Sequence, residues 1–307
     1  MKLLRVTFLG IRGIADGSYD FTDVHTGQPQ DVILVTGTEA SGKTRFLEAI
    51  LAAKEGIAPY GPMNTGAAWL PPGAVVAKIM LSLWLEEEER QYVGTNREVV
   101  DVEAQFLEDR IRRDADEGTV ALLRRYEHSR ETGKFEFFPA SRRLSPLGPF
   151  HGTSALEQRL HRASKDPMKY GFVVRFLRDL DASPAKEKEF AALLERLSPS
   201  CRYLMQASRE GLPRCFSSHG GPPVHAAELS DSEAEAVLLA ATAVNVGLSR
   251  SIVLIDRPEL FVGPGSGARR LEALRALGEG NQLLLASTSS EMLAAVPRDN
   301  VVRLGGA

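Results

Sequence analysis

Apolar positions fall into short unbroken runs at the two ends of the chain and into helical or mixed patterns between them. The runs at 32–35 (Val-Ile-Leu-Val), 252–255 (Ile-Val-Leu-Ile) and 282–286 (Gln-Leu-Leu-Leu-Ala) are what strands covered on both faces look like, which predicts a parallel sheet. Strands are also predicted at 3–14, 18–21, 75–85, 135–139 and 300–304, with 90–93 pairing to 75–85 across a charged turn at 86–89. A hairpin is predicted from 203–207 and 212–216. Helical spacing predicts α-structure at 41–54, stopped by Gly56, and at 101–130, broken near Gly118. Residues 154–197, divided by Pro167 and Pro184, carry the same spacing, with Phe190, Leu193, Leu194 and Leu197 on one buried face. Further helices are predicted at 234–246, where Gly247 ends the helix and Ser230 or Asp231 caps it, and at 268–277. Residues 60–73 and 217–223 read as loops.

Composition narrows this little. A chain of 307 residues with 43% hydrophobic and 25% charged residues can bury a full globular core, and its net charge of −3 advertises no global field for nucleic acid. The basic clusters 110–113, 124–125 and 142–143 read as solvated faces. Two cysteines, Cys201 and Cys215, are too few for a secreted disulfide framework, so a reducing cytoplasm is expected. The N-terminus lacks an export signal and no apolar run reaches membrane-spanning length, so no membrane partner is expected.

The chemistry starts at Gly37-Thr-Glu-Ala-Ser-Gly-Lys-Thr44, between a buried strand and a helix. This G-x-x-x-x-G-K-[ST] spacing is a P-loop: backbone amides of Gly37, Ser41 and Gly42 form a nest for phosphate oxygens, Lys43 meets the β/γ-phosphates, and the Thr44 hydroxyl serves Mg²⁺. Parallel strands deliver their C-terminal ends to one edge, so Gly37, Asp256 and Ser287 are expected to converge on one nucleotide, with Asp256 holding the metal. Consecutive carboxylates at 86–89 point in divergent directions and make a poor metal site.

These motifs, in order, resemble the Walker A, signature and Walker B motifs of ABC-type ATPase heads, the signature lying at Leu229-Ser-Asp-Ser-Glu233. Asp256-Arg-Pro-Glu-Leu260 with Pro264 resembles the D-E-P-E run of the RecF, SMC and OLD branch. Leu9-Gly-Ile-Arg-Gly13 resembles that branch's N-F-R-G opening, and Phe138-Pro-Ala-Ser-Arg142 its F-P-A-x-R segment. The resemblance implies an α/β P-loop fold with a mixed sheet, N-terminal antiparallel strands and a helical insert. It implies one ATPase domain over 1–307, with 101–200 as a mainly helical insert or lobe, without coiled-coil arms or a TOPRIM module. It also implies a homodimer or heterodimer that sandwiches ATP and Mg²⁺, with Ser230 reaching the γ-phosphate held by the other subunit, and Arg12 and Thr288 beside the nucleotide.

Departures from the family pattern sit in its hydrolytic half. Arg257 stands where the water-polarising glutamate belongs, and a guanidinium cannot accept a proton. Thr288 replaces the γ-phosphate-sensing histidine, Ser232 the signature glycine and Glu39 the P-loop asparagine, and no glutamine stands out as the usual Mg²⁺ contact. Glu259 is the substitute base within reach by sequence. The resulting expectation is a nucleotide-gated dimer or scaffold for an effector protein, bound by 154–197 or 60–73, with weak hydrolysis. The alternative is an active ATPase of a DNA-processing or anti-phage defence complex, with DNA as a possible partner. A small-molecule kinase would leave 229–233 and 256–264 unexplained.

Overall fold

The computed structural model describes residues 1–61, 66–144, 154–204 and 216–305. The chain opens with β1 (Lys2–Leu9), β2 (Gly17–Asp20), β3 (Val32–Gly37) and α1 (Lys43–Ile57). After a 3-10 turn at Gly66–Trp69 come β4 (Ala77–Trp84), α2 (Glu87–Val93), β5 (Val99–Phe106), β6 (Ile111–Asp114), α3 (Glu117–Arg124) and β7 (Phe135–Phe138). A helical stretch follows, with α4 (Ala155–His161), α5 (Phe172–Asp179) and α6 (Pro184–Leu197), then the short strands β8 (Cys201–Tyr203), β9 (Phe216–Ser218) and β10 (Pro223–Val224). The last part runs α7 (Asp231–Val246), β11 (Ile252–Asp256), α8 (Gly267–Arg275), β12 (Gln282–Ala286), α9 (Ser290–Ala295) and β13 (Val301–Leu304).

The unbroken apolar runs form the parallel sheet, in the order β13-β3-β12-β11-β7. Every residue of β11 and β12 is buried, as a strand with both faces covered requires. A second five-stranded sheet, β2-β1-β4-β5-β6, is antiparallel throughout. Helix α1 contacts both sheets, which explains why it is apolar nearly all round, from Phe46 and Leu47 through Ala53. Phe46 meets Phe8 and Tyr19 edge-on at centroid distances of 5.0 Å, closing the space between helix and antiparallel sheet.

Several expectations are corrected. Residues 90–93 are not a strand: they end α2, and the strand paired with β4 is β5. The acidic run 86–89 is a helix start, where Glu86 and Glu89 form a reciprocal capping box and the carboxylates face the positive end of the helix. Residues 101–130 are not helical from the outset, because they contain most of β5 and all of β6. In β5, Val100, Val102, Ala104 and Phe106 point inward while Asp101, Glu103 and Gln105 alternate with them, a period of two masked by the charged neighbours. The first strand ends at Leu9, where Gly10 turns at φ 64°. Helix α1 continues through Gly56 to Ile57, because a Cβ on Gly56 would lie 2.8 Å from Ile111 Cγ2; the glycine makes room for β6 instead of ending the helix. Within 217–223, β9 and β10 pair antiparallel. The predicted hairpin survives at its base, where Tyr203 pairs with Phe216, and the rest of it, 205–215, lies outside the described residues, as does Cys215.

The two large sheets are joined by one buried side chain. Gln282, at the start of β12, accepts from Leu3 N at 2.7 Å and donates to Leu3 O at 2.8 Å and Gln30 O at 2.9 Å, completing the backbone bonding of β1 as another strand would. Gln282→Ala leaves two carbonyls and an amide buried without partners. It is expected to lower the unfolding free energy by about 2–4 kcal/mol, read as a shifted midpoint in urea; a change within measurement error contradicts this role.

Candidate functional site

The C-terminal ends of β3, β12 and β11 open onto one cleft of about 690 Å³. Gly37, Ser287 and Asp256 stand at those strand ends, as the parallel pairing demands. Glu39 to Arg45 form one wall, Asp256, Arg257, Glu259 and Leu260 the opposite one, and Ala286 to Thr288 lie between them.

Two glycines shape the P-loop. At Gly37 a Cβ would stand 2.4 Å from Leu304 O and 2.6 Å from Ser41 Oγ, and at Gly42, with φ 92°, it would stand 2.7 Å from Gly13 O. Side chains are thus excluded where the loop passes between the end of β13 and the Gly13 turn. Helix α1 then starts with no side-chain cap and no acidic residue in its first turn, so its N-terminal amides are left to an anion. The Lys43 ammonium lies over the loop, donating to Thr38 O at 2.6 Å, Gly37 O at 3.2 Å and Ser41 Oγ at 3.3 Å.

Across the cleft the Thr44 hydroxyl lies 2.9 Å and 3.1 Å from the two oxygens of Asp256. Burial pushes the Asp256 carboxyl above its ordinary value; the Thr44 hydrogen bond and the charges of Arg257 and Arg142 oppose that rise, while Glu48 adds to it. A hydroxyl and a carboxylate beside a phosphate nest are the oxygen donors that Mg²⁺ takes, so the residues present fit a magnesium nucleotide.

Arg257 has left-handed backbone, φ 50°, and an exposed side chain, and its amide donates to Ala286 O at 2.8 Å. Thr288 is exposed at the cleft. Glu259 is half-buried in the opposite wall, and its Oε2 is buried without a hydrogen-bond partner. Arg12 does not line the cleft. Its carbonyl accepts from Arg45 Nε at 3.2 Å, and the Arg45 guanidinium stacks 3.7 Å from the Trp69 ring centroid, so Arg12 borders the site through its main chain.

Ser230 is likewise not a cleft residue of its own chain. It caps α7 in a capping box: Glu233 Oε2 accepts from Ser230 N at 3.1 Å and from Ser230 Oγ at 2.7 Å, and Ser218 Oγ donates to Glu233 Oε1 at 2.6 Å. These bonds leave the exposed Ser230 at the start of the helix, with its position set by Glu233.

The sequence reading missed what holds the Asp256 side of the cleft. Arg142, read as part of a solvated basic face, is 1% exposed. It and Arg270 both bond Glu235 Oε1, at 2.6 and 2.7 Å. Arg142 also donates to Asp256 O at 2.6 Å and Arg257 O at 2.8 Å, and Arg270 to Pro258 O at 2.7 Å. A signal was present in Glu235 itself, because a carboxylate followed by the apolar stretch 236–241 is costly to bury unless charged or hydrogen-bonding partners meet it.

Neither family models nor curated proteins match the sequence. Solved structures do. The SMC head bound to the C-winged helix domain of ScpA is 13% identical, covers 99% of this chain and 98% of its own, and superposes with a TM-score of 0.56. The SMC head of Thermotoga maritima is 14% identical, covering 96% and 92%, with a TM-score of 0.53. The head bound to the C-terminal domain of ScpA, from Pyrococcus furiosus, is 12% identical, covering 99% and 96%, with a TM-score of 0.59. At such low identity the likeness speaks for the fold alone, and it spans both large sheets, the P-loop and the helical stretch. The chain therefore has the fold of an SMC-type ABC ATPase head.

Proposed function

We propose that the protein binds ATP with Mg²⁺ in this cleft and uses the binding to hold two heads together, as a homodimer or heterodimer, in a nucleotide-gated scaffold for an effector protein. Hydrolysis is weak. The observation that carries the reading is the Thr44 hydroxyl on both oxygens of a buried Asp256, across from Lys43, with an arginine in the adjacent position where a base would stand. Gly37, Ser41 and Gly42 cradle phosphates, Lys43 neutralises them, Thr44 and Asp256 hold the metal, and Thr288 and the Arg12 turn border the nucleotide. Bound Mg²⁺ would supply charge neutralisation on the phosphates. Ser230, exposed and pre-oriented by Glu233, suits a γ-phosphate held by the second subunit. Two of the solved heads with this fold carry a domain of ScpA, which supports a protein partner here, bound by residues 154–197 or 60–73. Among the described residues no helix is long and apolar enough to cross a membrane.

A second reading is favoured by one specific observation. Glu259 Oε2 is buried in the cleft wall with no hydrogen-bond partner, as a base that orients water would be before substrate arrives. On that reading the chain is an active ATPase serving DNA processing or anti-phage defence.

Four measurements test the site and the two readings of it. Lys43→Ala should weaken ATP binding by about tenfold to a hundredfold, measured by calorimetry, because it deletes a charge-assisted phosphate contact; unchanged affinity contradicts the site. ATP should drive dimerisation in light scattering with phosphate release near background, with or without DNA. Turnover that disappears in both Lys43→Ala and Glu259→Gln would establish the second reading instead. Arg257→Glu should raise turnover by at least about tenfold by restoring a carboxylate beside Asp256, and no increase would show that the missing base does not limit the site.

A further inference from the structure

The chain turns directly after Asp256. Asp256 ends β11, Arg257 takes a left-handed conformation that L-residues rarely adopt, Pro258 is buried, and Glu259 returns to the cleft wall. Such a path persists only where surrounding groups over-determine it.

Those groups are two guanidinium ions on one carboxylate. Arg142, in the loop after β7, donates to the carbonyls of Pro139 at 3.0 Å, Asp256 and Arg257; Arg270, on α8, donates to the carbonyl of Pro258. Three successive carbonyls, 256, 257 and 258, are thus each held by a cation. Glu235 Oε1, on the helix that Ser230 caps, receives both cations and is 3% exposed as a residue. Three separate elements, the loop after β7, α7 and α8, are pinned on one oxygen atom. A fixed planar fork is what lets Arg142 reach Glu235 and three carbonyls at once, which a lysine ammonium cannot reproduce.

We infer that Arg142, Arg270 and Glu235 form a positioning clamp for the metal-holding segment: none of the three lines the cleft, and they fix the main chain that aims Asp256, and with it Glu259, into it. The inference rests on the nucleotide site proposed above and deepens it. Groups that orient metal-holding carboxylates contribute strongly to metal affinity although they make no contact with the ion. The P-loop nest and Lys43 lie across the cleft and do not depend on the clamp. Its loss should therefore weaken the Mg²⁺-dependent part of nucleotide binding selectively.

The test measures binding of a fluorescent ATP analogue to the full chain, with Mg²⁺ and with EDTA, for the unmodified protein, Arg142→Gln, Arg142→Lys and Arg270→Gln. Arg142→Gln and Arg142→Lys should each cut the affinity gained from Mg²⁺ by about tenfold or more, and affinity in EDTA should change less than about twofold. Arg270→Gln releases one carbonyl and should produce a smaller loss of the same kind. It leaves Glu235 paired one to one with Arg142, so it is the variant to read if Arg142→Gln does not fold. A clamp of purely structural importance would weaken binding equally in Mg²⁺ and EDTA, or lower the melting temperature with the Mg²⁺ gain intact, and either result overturns the inference. Full rescue by Arg142→Lys also overturns it, because charge without the fork would then suffice. Unmodified protein that binds ATP equally well with and without Mg²⁺ overturns the underlying site, and the clamp's role with it.

Discussion

The contact between Thr44 and Asp256 joins residues 212 positions apart, and the rest of the site depends on what makes it possible. Parallel pairing of β3, β12 and β11 sets three strand ends side by side, so a hydroxyl at the start of α1 meets a carboxylate at the end of β11. Parallel strands are buried on both faces, which requires covering layers. One is the antiparallel sheet, packed through α1 and tied at Gln282; another is the helical region around α6, α7 and α8.

That helical layer does more than cover apolar surface. Glu235 is buried in α7 at the cost of desolvation, and two arginines offset that cost while holding the backbone that follows Asp256. The start of the same helix presents Ser230. One helix thus begins at the exposed Ser230 and carries, at Glu235, the anchor for the backbone that follows Asp256. At the cleft, the exposed Arg257 directly follows Asp256, and Glu259 in the same wall keeps a buried Oε2 without a hydrogen-bond partner.

Much of this was readable from the residues. The P-loop, β11, β12, the capping box at Ser230 and the stop at Gly247 were found where spacing and caps placed them, because each depends on local pattern. The errors have a common cause in long-range context. In β5, charges on the alternate positions disguised a strand as a helix, and Gly56 passed for a helix stop although β6 requires its small size. Arg142 looked solvated because its neighbours in the chain are polar; its partners, Glu235 and the carbonyls of 256 and 257, are supplied by distant segments. Periodicity cannot reveal such a cluster, though a glutamate at the head of the apolar stretch 236–241 hints at one.

The central claim is that the cleft holds ATP and seldom cleaves it. The most direct measurement incubates the protein with Mg²⁺ and γ-labelled ATP, removes free nucleotide on a desalting column, and identifies what remains bound. The account predicts intact ATP, retained by the unmodified chain. Recovery of ADP, with labelled phosphate released in equal amount, would contradict it.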